Sequence, residues 1–544
     1  MTMMTFEEYK SKLLDYLYHE KELMERDIEL HQVLSDDEKV EQGYLIKDCH
    51  VVDHIDDSYE LDTPINNTKL RAGDKVDLIY EDGSRIKGVT VVENFFNRVT
   101  ITTERLIEKE GNYQVEITEA VLLDPIINLL EGLEYGASGS HFLTELAGFD
   151  EPQKEGYRPI EIADAVIPNR MNEAQQEAIG HVLKRPSLYC IQGPPGTGKT
   201  DVLAIIAKVF SEHGKEVLVV SNTHQAVNNA LNTISQYHLP LVKIGEALKA
   251  QELNDSIQKE KTYSAYLRTR KGKRRTRYSK GTVVGMTLHA AIINLGLRNS
   301  GFSPTVVLVD EAGQIPLTFG SAIGTFGSGS IIFIGDDRQM PPIFHPELKG
   351  DELSVSVFSH VADMYPDFKT ILDTTYRMNT EITDFINKHF YEPYGISLKS
   401  LREPKFTDSI EVKSLPSVPD SPWEDYNPEE AVIVADYALQ YVKKGFEVAV
   451  VTPFRKQVNC IRGLISDLFE TNNLQDRVPL VDTVERLQGQ SVDVIIISTS
   501  ASNPQYYHNI ESFILERHRM NVMCSRAKDK VIFVKNDIVD LDRM

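Results

Sequence analysis

Cysteine is scarce in this chain: four residues in 544, Cys49, Cys190, Cys460 and Cys524, with no Cys-x-x-Cys spacing among them. That excludes a disulfide framework, a zinc ribbon and an iron–sulfur cluster. Cys49, His50 and His54 have no partner cluster at ligand spacing, so they read as part of a surface loop rather than a metal site. No apolar run approaches the length of a membrane span, and the opening residues lack the basic and apolar regions of a secretory leader. The expectation is a cytoplasmic chain with no membrane partner. Cationic charge is also short, since 58 Lys and Arg against 81 Asp and Glu leave a net charge of −23. Read globally, this counts against nucleic acid, but a groove can be basic on an acidic protein. The stretch from Lys261 to Lys280 carries Lys261, Arg268, Arg270, Lys271, Lys273, Arg274, Arg275, Arg277 and Lys280 with no acidic residue.

What is present begins with Leu188 to Thr200, a short apolar run that breaks into Gly-Pro-Pro-Gly-Thr-Gly-Lys-Thr. This is a phosphate-binding loop. Gly193, Gly196 and Gly198, with Thr197 between the last two, let backbone N–H groups turn inward around phosphate oxygens. Lys199 reaches the β- and γ-phosphates, and Thr200 offers a hydroxyl to Mg²⁺. A helix follows, because Val202, Leu203, Ile205, Ile206, Val209 and Phe210 share one face, and its N-terminus favours an anion. Asp310 and Glu311 then close a second apolar run, Val306 to Val309. Asp310 is placed to hold the metal, and Glu311 to take a proton from an attacking water.

At 544 residues the chain exceeds one core. Phe6 to Val33 carries a helical stripe, and alternating apolar residues between Val76 and Ile117 predict a small antiparallel barrel or meander. A helical segment over about Leu122 to Leu146 leads back towards the nucleotide domain. Further apolar strand candidates end in polar residues, as in a doubly wound domain: Val217 to Val220, Ile331 to Ile334, Val448 to Val451, Val494 to Ser498 and Val531 to Val534. Ile371 to Asp373 reads as the first strand of a second such domain, and 416–430 as a surface connection. The fold class expected is α/β, with two tandem parallel-sheet motor domains behind a helical stalk and barrel. The division is 1–165 for the accessory part, 166–345 for the first motor domain with a basic insertion at about 235–280, and 346–544 for the second.

The ordered set Asn172-x-x-Gln175, Gly193 to Thr200, Ser221-Asn222, Asp310 to Gln314, Gly335 to Gln339, Tyr376 to Met378, Gln488-Gly489 and Asn521 to Ala527 resembles superfamily 1 helicases. Within them it resembles the 1B branch of the nonsense-mediated-decay RNA helicase and its DNA-acting relatives. The resemblance implies two RecA-like domains with Mg-ATP between them. It implies that Gln175 reads the adenine edge, Tyr376 stacks on the base, Gln339 senses the γ-phosphate, and Arg377 and Arg526 act as arginine fingers. It assigns strand contact to Asn222, Thr223 and Thr483, and puts the basic tract, with Arg270, Lys273, Arg274 and Arg275, where relatives carry an extra subdomain near the strand. The implied activity is 5′ to 3′ translocation on single-stranded RNA or DNA, with nuclease or regulatory partners supplied by other chains. An ATP-gated clamp or adaptor is the alternative. One position departs: relatives carry a ribose-binding Glu two residues after the Gln-Gly pair, where this chain has Ser491, so nucleotide discrimination is expected to be loose.

The tract generates a test. Changing Arg270, Arg274 and Arg275 to Gln should flatten the salt dependence of single-strand binding, by about 0.7 in log–log slope for each phosphate that is no longer neutralised. An unchanged slope would assign the tract to solvent.

Overall fold

Three groups of strands order the chain. The computed structural model describes residues 5–544 apart from 56, 64–65, 67, 69, 71–73, 96–97, 104, 106, 109–110, 118–122, 138, 157–158, 162–166, 246–252, 261–280, 297–303, 327–328, 419–420, 423–424 and 488–489. The basic tract, with Arg270, Lys273, Arg274 and Arg275, therefore lies outside the described residues, as does the Gln488-Gly489 pair.

The first helix spans Phe6–Val33 and begins with a capping box in which Thr5 and Glu8 satisfy each other's backbone N–H. Its buried stripe of Phe6, Tyr9, Leu13, Tyr16, Leu17 and Leu23 joins the core of the first motor domain. Polar contacts fix the helix along the segment 345–354: the Tyr16 hydroxyl lies 2.8 Å from Ser354 Oγ, His345 Nε2 lies 3.2 Å from Asp27, and Lys12–Glu352 and Arg26–Glu347 pair. Beyond this helix, β1 (Leu45–Ile55), β2 (Ser58–Asp62), β3 (Lys75–Tyr80), β4 (Arg85–Phe95), β5 (Arg98–Thr102) and β6 (Asn112–Ile117) close an antiparallel barrel in the order β1-β2-β5-β4-β3-β6. Cys49, His50 and His54, expected on a loop, lie on β1 instead. The Cys49 thiol is buried in the barrel, and burial pushes it up to about 12.

The first motor sheet contains β7 (Leu188–Gln192), β8 (Val217–Ser221), β9 (Leu241–Ile244), β10 (Gln258–Glu260), β11 (Val283–Thr287), β12 (Val306–Val309), β13 (Ile331–Gly335) and β14 (Lys369–Ile371). The order is β10-β9-β11-β8-β12-β13-β7-β14, every described pairing is parallel, and helices cover the apolar strands. Two expectations change. Strands β9 and β10 fall within 235–280, so the expected insertion begins as an extension of the sheet. Lys369–Ile371 pairs with β7, and Val357, Phe358, Val361 and Leu372 bury in the first core, so the chain leaves the first domain near 372 rather than 345. The short pair β15 (Thr374–Thr375) and β16 (Lys399–Ser400) precedes the second parallel sheet. That sheet orders β17 (Ile410–Leu415), β21 (Ala527–Asn536), β20 (Val492–Ser498), β18 (Val448–Val451) and β19 (Leu480–Asp482).

The accessory helix Ser140–Leu146 is seated on the first domain through paired glycines. A Cβ on Gly139, at φ +92°, would stand 2.1 Å from the Gly324 carbonyl oxygen, and one on Gly324 would stand 2.6 Å from the Phe142 Cβ. Gly139→Ala should therefore cost about 2 kcal/mol or more, since strain and backbone overlap add. Gly350→Ala, at φ +95° in open space, should cost only about 1 kcal/mol. Equal losses in melting temperature would refute the close-packing account.

Candidate functional site

The site forms where the C-terminal ends of β7, β12 and β13 meet the first residues of the second domain. The phosphate loop leaves β7 and turns through Gly196 (φ +75°) and Gly198 (φ +80°), the left-handed region that favours glycine. Its neighbours leave no room for side chains. A Cβ on Gly193 would stand 2.2 Å from Lys199 Cγ, one on Gly196 2.5 Å from Arg377 Cβ, and one on Gly198 2.7 Å from Gln175 Nε2. Lys199, the first residue of the helix Lys199–Glu212, folds back so that its ammonium donates to the Gly193 carbonyl. Gln175 and Asn172 cap the helix Glu173–Leu183 reciprocally, and Gln175 Nε2 donates to the Thr197 carbonyl at 2.9 Å. The adenine-reading candidate thus also braces the phosphate loop.

Asp310 is 5% exposed at the end of β12, and its carboxylate accepts the Glu311 backbone N–H at 3.0 Å. Burial, with the Glu311 charge beside it, raises its pKa, against an opposing pull from Lys199. Two crowded carboxylates with one nearby ammonium form a donor set that a divalent cation would relieve. Glu311 itself sits at φ +52°, strained for a residue with a side chain, and Gln314 Nε2 lies 3.4 Å from its Oε2. Glycines hold this turn against β13: a Cβ on Gly313 would stand 2.7 Å from the Asp336 carbonyl oxygen, and one on Gly335 2.8 Å from the Gly313 nitrogen. Gln339 Nε2 donates to Asp336 Oδ2 at 2.6 Å.

The second domain brings its cations to the same place. Tyr376 N donates to the Gly196 carbonyl at 2.8 Å, and the Thr375 hydroxyl donates to the Pro195 carbonyl at 2.9 Å. The Tyr376 ring is 42% exposed, and its hydroxyl accepts from Asn172 Nδ2 at 3.0 Å. Arg377 Nη1 donates to the Ser525 carbonyl at 3.1 Å. Burial pushes Arg526 down to about 9, the neighbouring Arg377 charge adds to this, and Glu311 opposes it. Arg377 is lowered by burial too, again with Glu311 opposing. Both remain cations at neutral pH, and their hydrogen bonds among the described residues go to carbonyl oxygens, with Arg526 Nε unpartnered.

Of the strand-contact candidates, Asn222 Nδ2 reaches the Gln314 carbonyl at 3.5 Å, Thr223 caps the helix His224–Ser235, and Thr483 is 8% exposed behind β19. Thr200 stands in the first turn of the phosphate-loop helix with its side chain partly open. Two features escaped the sequence reading. The buried Tyr391 hydroxyl donates to Asp336 across the domain boundary, and Asn521 Nδ2 donates to that hydroxyl and to the Arg338 carbonyl. Lys243 is 1% exposed on β9 with no partner for Nζ among the described residues, and burial depresses it to about 7. Its register neighbour Gly285 packs against Leu231, so the ammonium lies on the sheet face covered by the helix His224–Ser235. A lone Lys in the run Leu241-Val-Lys-Ile244 was the available signal.

Known proteins also divide the chain into two parts, with the division near 352, ahead of β14. An AAA domain family matches residues 170–351, and a second AAA domain family matches 353–537. The DNA replication ATP-dependent helicase/nuclease DNA2 of Bos taurus is 25% identical over 561 residues, covering 90% of this chain and 50% of its own length. The human DNA2 is 24% identical over 86% of this chain and 48% of its own length. An uncharacterised ATP-dependent helicase of Methanocaldococcus jannaschii is 26% identical over 72% of this chain and 71% of its own. The chain thus spans about half the length of the animal relatives it matches. Among the described residues, no helix is long and apolar enough to cross a membrane.

Lys243 yields a pH prediction. Below about 7 its ammonium is charged in both folded and unfolded chains, and the folded chain bears the full burial cost. As pH rises from about 7 towards the ordinary 10.5, the folded chain sheds the proton first and the cost fades. Lys243→Met should therefore raise the melting temperature, most below pH 7 and progressively less towards pH 10. A destabilised variant at pH 6 would contradict this.

Proposed function

We propose that this chain, a member of the superfamily 1B helicases and so an ATP-hydrolysing motor, translocates 5′ to 3′ along single-stranded nucleic acid and separates strands as it moves. The observation that carries the reading is a single cleft. Lys199, Asp310 and Glu311 stand at strand ends of one sheet, with Arg377 and Arg526 of the other facing Glu311.

The chemistry follows from that arrangement. The glycine cradle and the helix N-terminus hold the phosphates of ATP, with Lys199 neutralising the β- and γ-oxygens. Thr200 and Asp310 would hold Mg²⁺, which supplies charge neutralisation on the phosphates. Glu311 accepts the proton of the attacking water. Gln339 reads the γ-phosphate. Arg377 and Arg526 stabilise the charge of the transferring phosphoryl group, and the burial of Arg526 strengthens its field there. Gln175 and the Tyr376 ring take the base. The two domains must hold their relative position for the guanidiniums to reach, so the nucleotide state sets the grip on the strand. Asn222, Thr223 and Thr483 supply that grip at backbone phosphates, which makes it sequence-tolerant. The DNA2 relatives favour DNA as the track.

Steady-state hydrolysis tests this with no polynucleotide, single-stranded DNA, single-stranded RNA and duplex, in ATP and in GTP. One single strand should stimulate turnover. Lys199→Ala and Glu311→Gln should each remove it, the latter by about 10²-fold or more as a lost general base. A narrow preference for ATP would contradict the loose discrimination expected of Ser491. Stimulation without displacement of a 5′-tailed duplex strand would identify an ATP-gated clamp, and indifference to every polynucleotide would refute the motor reading.

A further inference from the structure

Asp336 is 3% exposed at the end of β13, and its Oδ2 accepts two donors from opposite directions. One is Gln339 Nε2 at 2.6 Å, from its own turn, and the other is the Tyr391 hydroxyl at 2.5 Å, from the second domain. The same hydroxyl accepts from Asn521 Nδ2 at 3.0 Å, and that amide also donates to the Arg338 carbonyl at 2.7 Å. Tyr391 and Asn521 are both fully buried. Tyr391 closes a π-helical turn, Asn387–Tyr391, that continues the helix Thr380–Ile386, and such turns often mark sites where a side chain is re-aimed. Asn521 lies on the helix Arg517–Cys524. Its carbonyl accepts Ser525 N at 2.9 Å, Ser525 in turn accepts Arg377 Nη1 at 3.1 Å, and Arg526 follows.

The side chains therefore form a continuous path from Gln339 through Asp336, Tyr391 and Asn521 to the backbone that seats Arg377 and Arg526. We propose that Tyr391 is a positioning residue for ATP hydrolysis, whose hydroxyl couples the Gln339–Asp336 pair in the first domain to the arginine-bearing helix end in the second. The inference rests on the roles given above to Gln339, Arg377 and Arg526. Phenol chemistry suits the task, because one hydroxyl donates to a carboxylate while accepting from an amide, and burial beside Asp336 holds it protonated. Without it, Asp336 loses one of two donors on Oδ2, and Asn521 keeps only the Arg338 carbonyl.

Tyr391→Phe keeps the ring and removes only the link. In the full chain its kcat should fall on the order of tenfold, the effect of one buried hydrogen bond left unmade, with KM for ATP nearly unchanged. Tyr391→Phe combined with Gln339→Ala should be no slower than Gln339→Ala alone, because the hydroxyl acts through that pair. Unchanged kcat, losses that multiply in the double variant, or a fall in melting temperature with kcat per folded molecule intact would each overturn the proposal. The same cycle read on basal hydrolysis keeps this outcome separate from the motor reading, which is decided by polynucleotide stimulation and strand displacement in the wild-type chain.

Discussion

The structure depends on the seat of Gly196 against Thr375 and Arg377. The phosphate loop belongs to one sheet and the Thr375-Tyr376-Arg377 segment leads to the other, yet their backbones are joined by the Tyr376 N to Gly196 O hydrogen bond. An approach this close is possible only because Gly196 has no side chain and tolerates φ +75°. The consequence is electrostatic. A backbone-to-backbone junction brings Arg377 to the phosphate loop without a long, flexible side chain having to bridge the gap, so little conformational entropy is lost when the guanidinium acts.

Charge in the cleft is arranged for a partner that the chain itself does not supply. Arg526 is buried with the half-buried Arg377 beside it, and like charges at reduced dielectric repel. Their described hydrogen bonds go to carbonyls, and Glu311 offsets only part of the cost. Across the cleft, Asp310 and Glu311 crowd in the opposite sense. Each cluster is unfavourable in isolation. A polyanion carrying a divalent cation would resolve both, so under the proposed reading the residues that weaken the resting fold are those that would strengthen nucleotide binding.

The parts of this arrangement legible in the sequence are those in which chemistry restricts residue type over a short span. Gly193 to Thr200 must be glycine-rich to wrap phosphate, and Asp310-Glu311 announces itself by following four apolar residues. The Phe6–Val33 helix was readable from its stripe of buried residues. Strand β1 was not, because irregularities between Ile46 and Cys49 and between Val51 and Asp53 shift the register and hide the alternation. Strand β14 was assigned to the wrong sheet, since a three-residue run carries no record of its partner. The Asp336–Tyr391–Asn521 path was invisible for a related reason: its partners lie 55 and 130 residues apart, and no local pattern encodes a pairing of that range. Lys243 showed only as an interruption of an apolar strand, and the sequence alone could not say whether its ammonium reached water.

What moves during turnover is constrained by where glycine stands. Glu311 and Gln339 cannot shift independently, because Gly313 and Gly335 press the Asp310-Glu311 turn onto β13 at distances that leave no slack for a Cβ. The strained Glu311 backbone, costing on the order of 1 kcal/mol, is held by that same packing. With the roles proposed for Glu311 and Gln339, the first domain would act as one rigid reader of the nucleotide, its base and sensor fixed together. Arg377, Tyr391 and Arg526 all ride on the second domain, and they meet the first through hydrogen bonds that can break and re-form, at Gly196, Pro195, Asp336 and Arg338. On the proposed reading, a change at the γ-phosphate would be expressed as movement of the second domain as a body, because packed elements re-seat rather than deform. That rigidity is what would let a subångström event at phosphorus become a step along a strand.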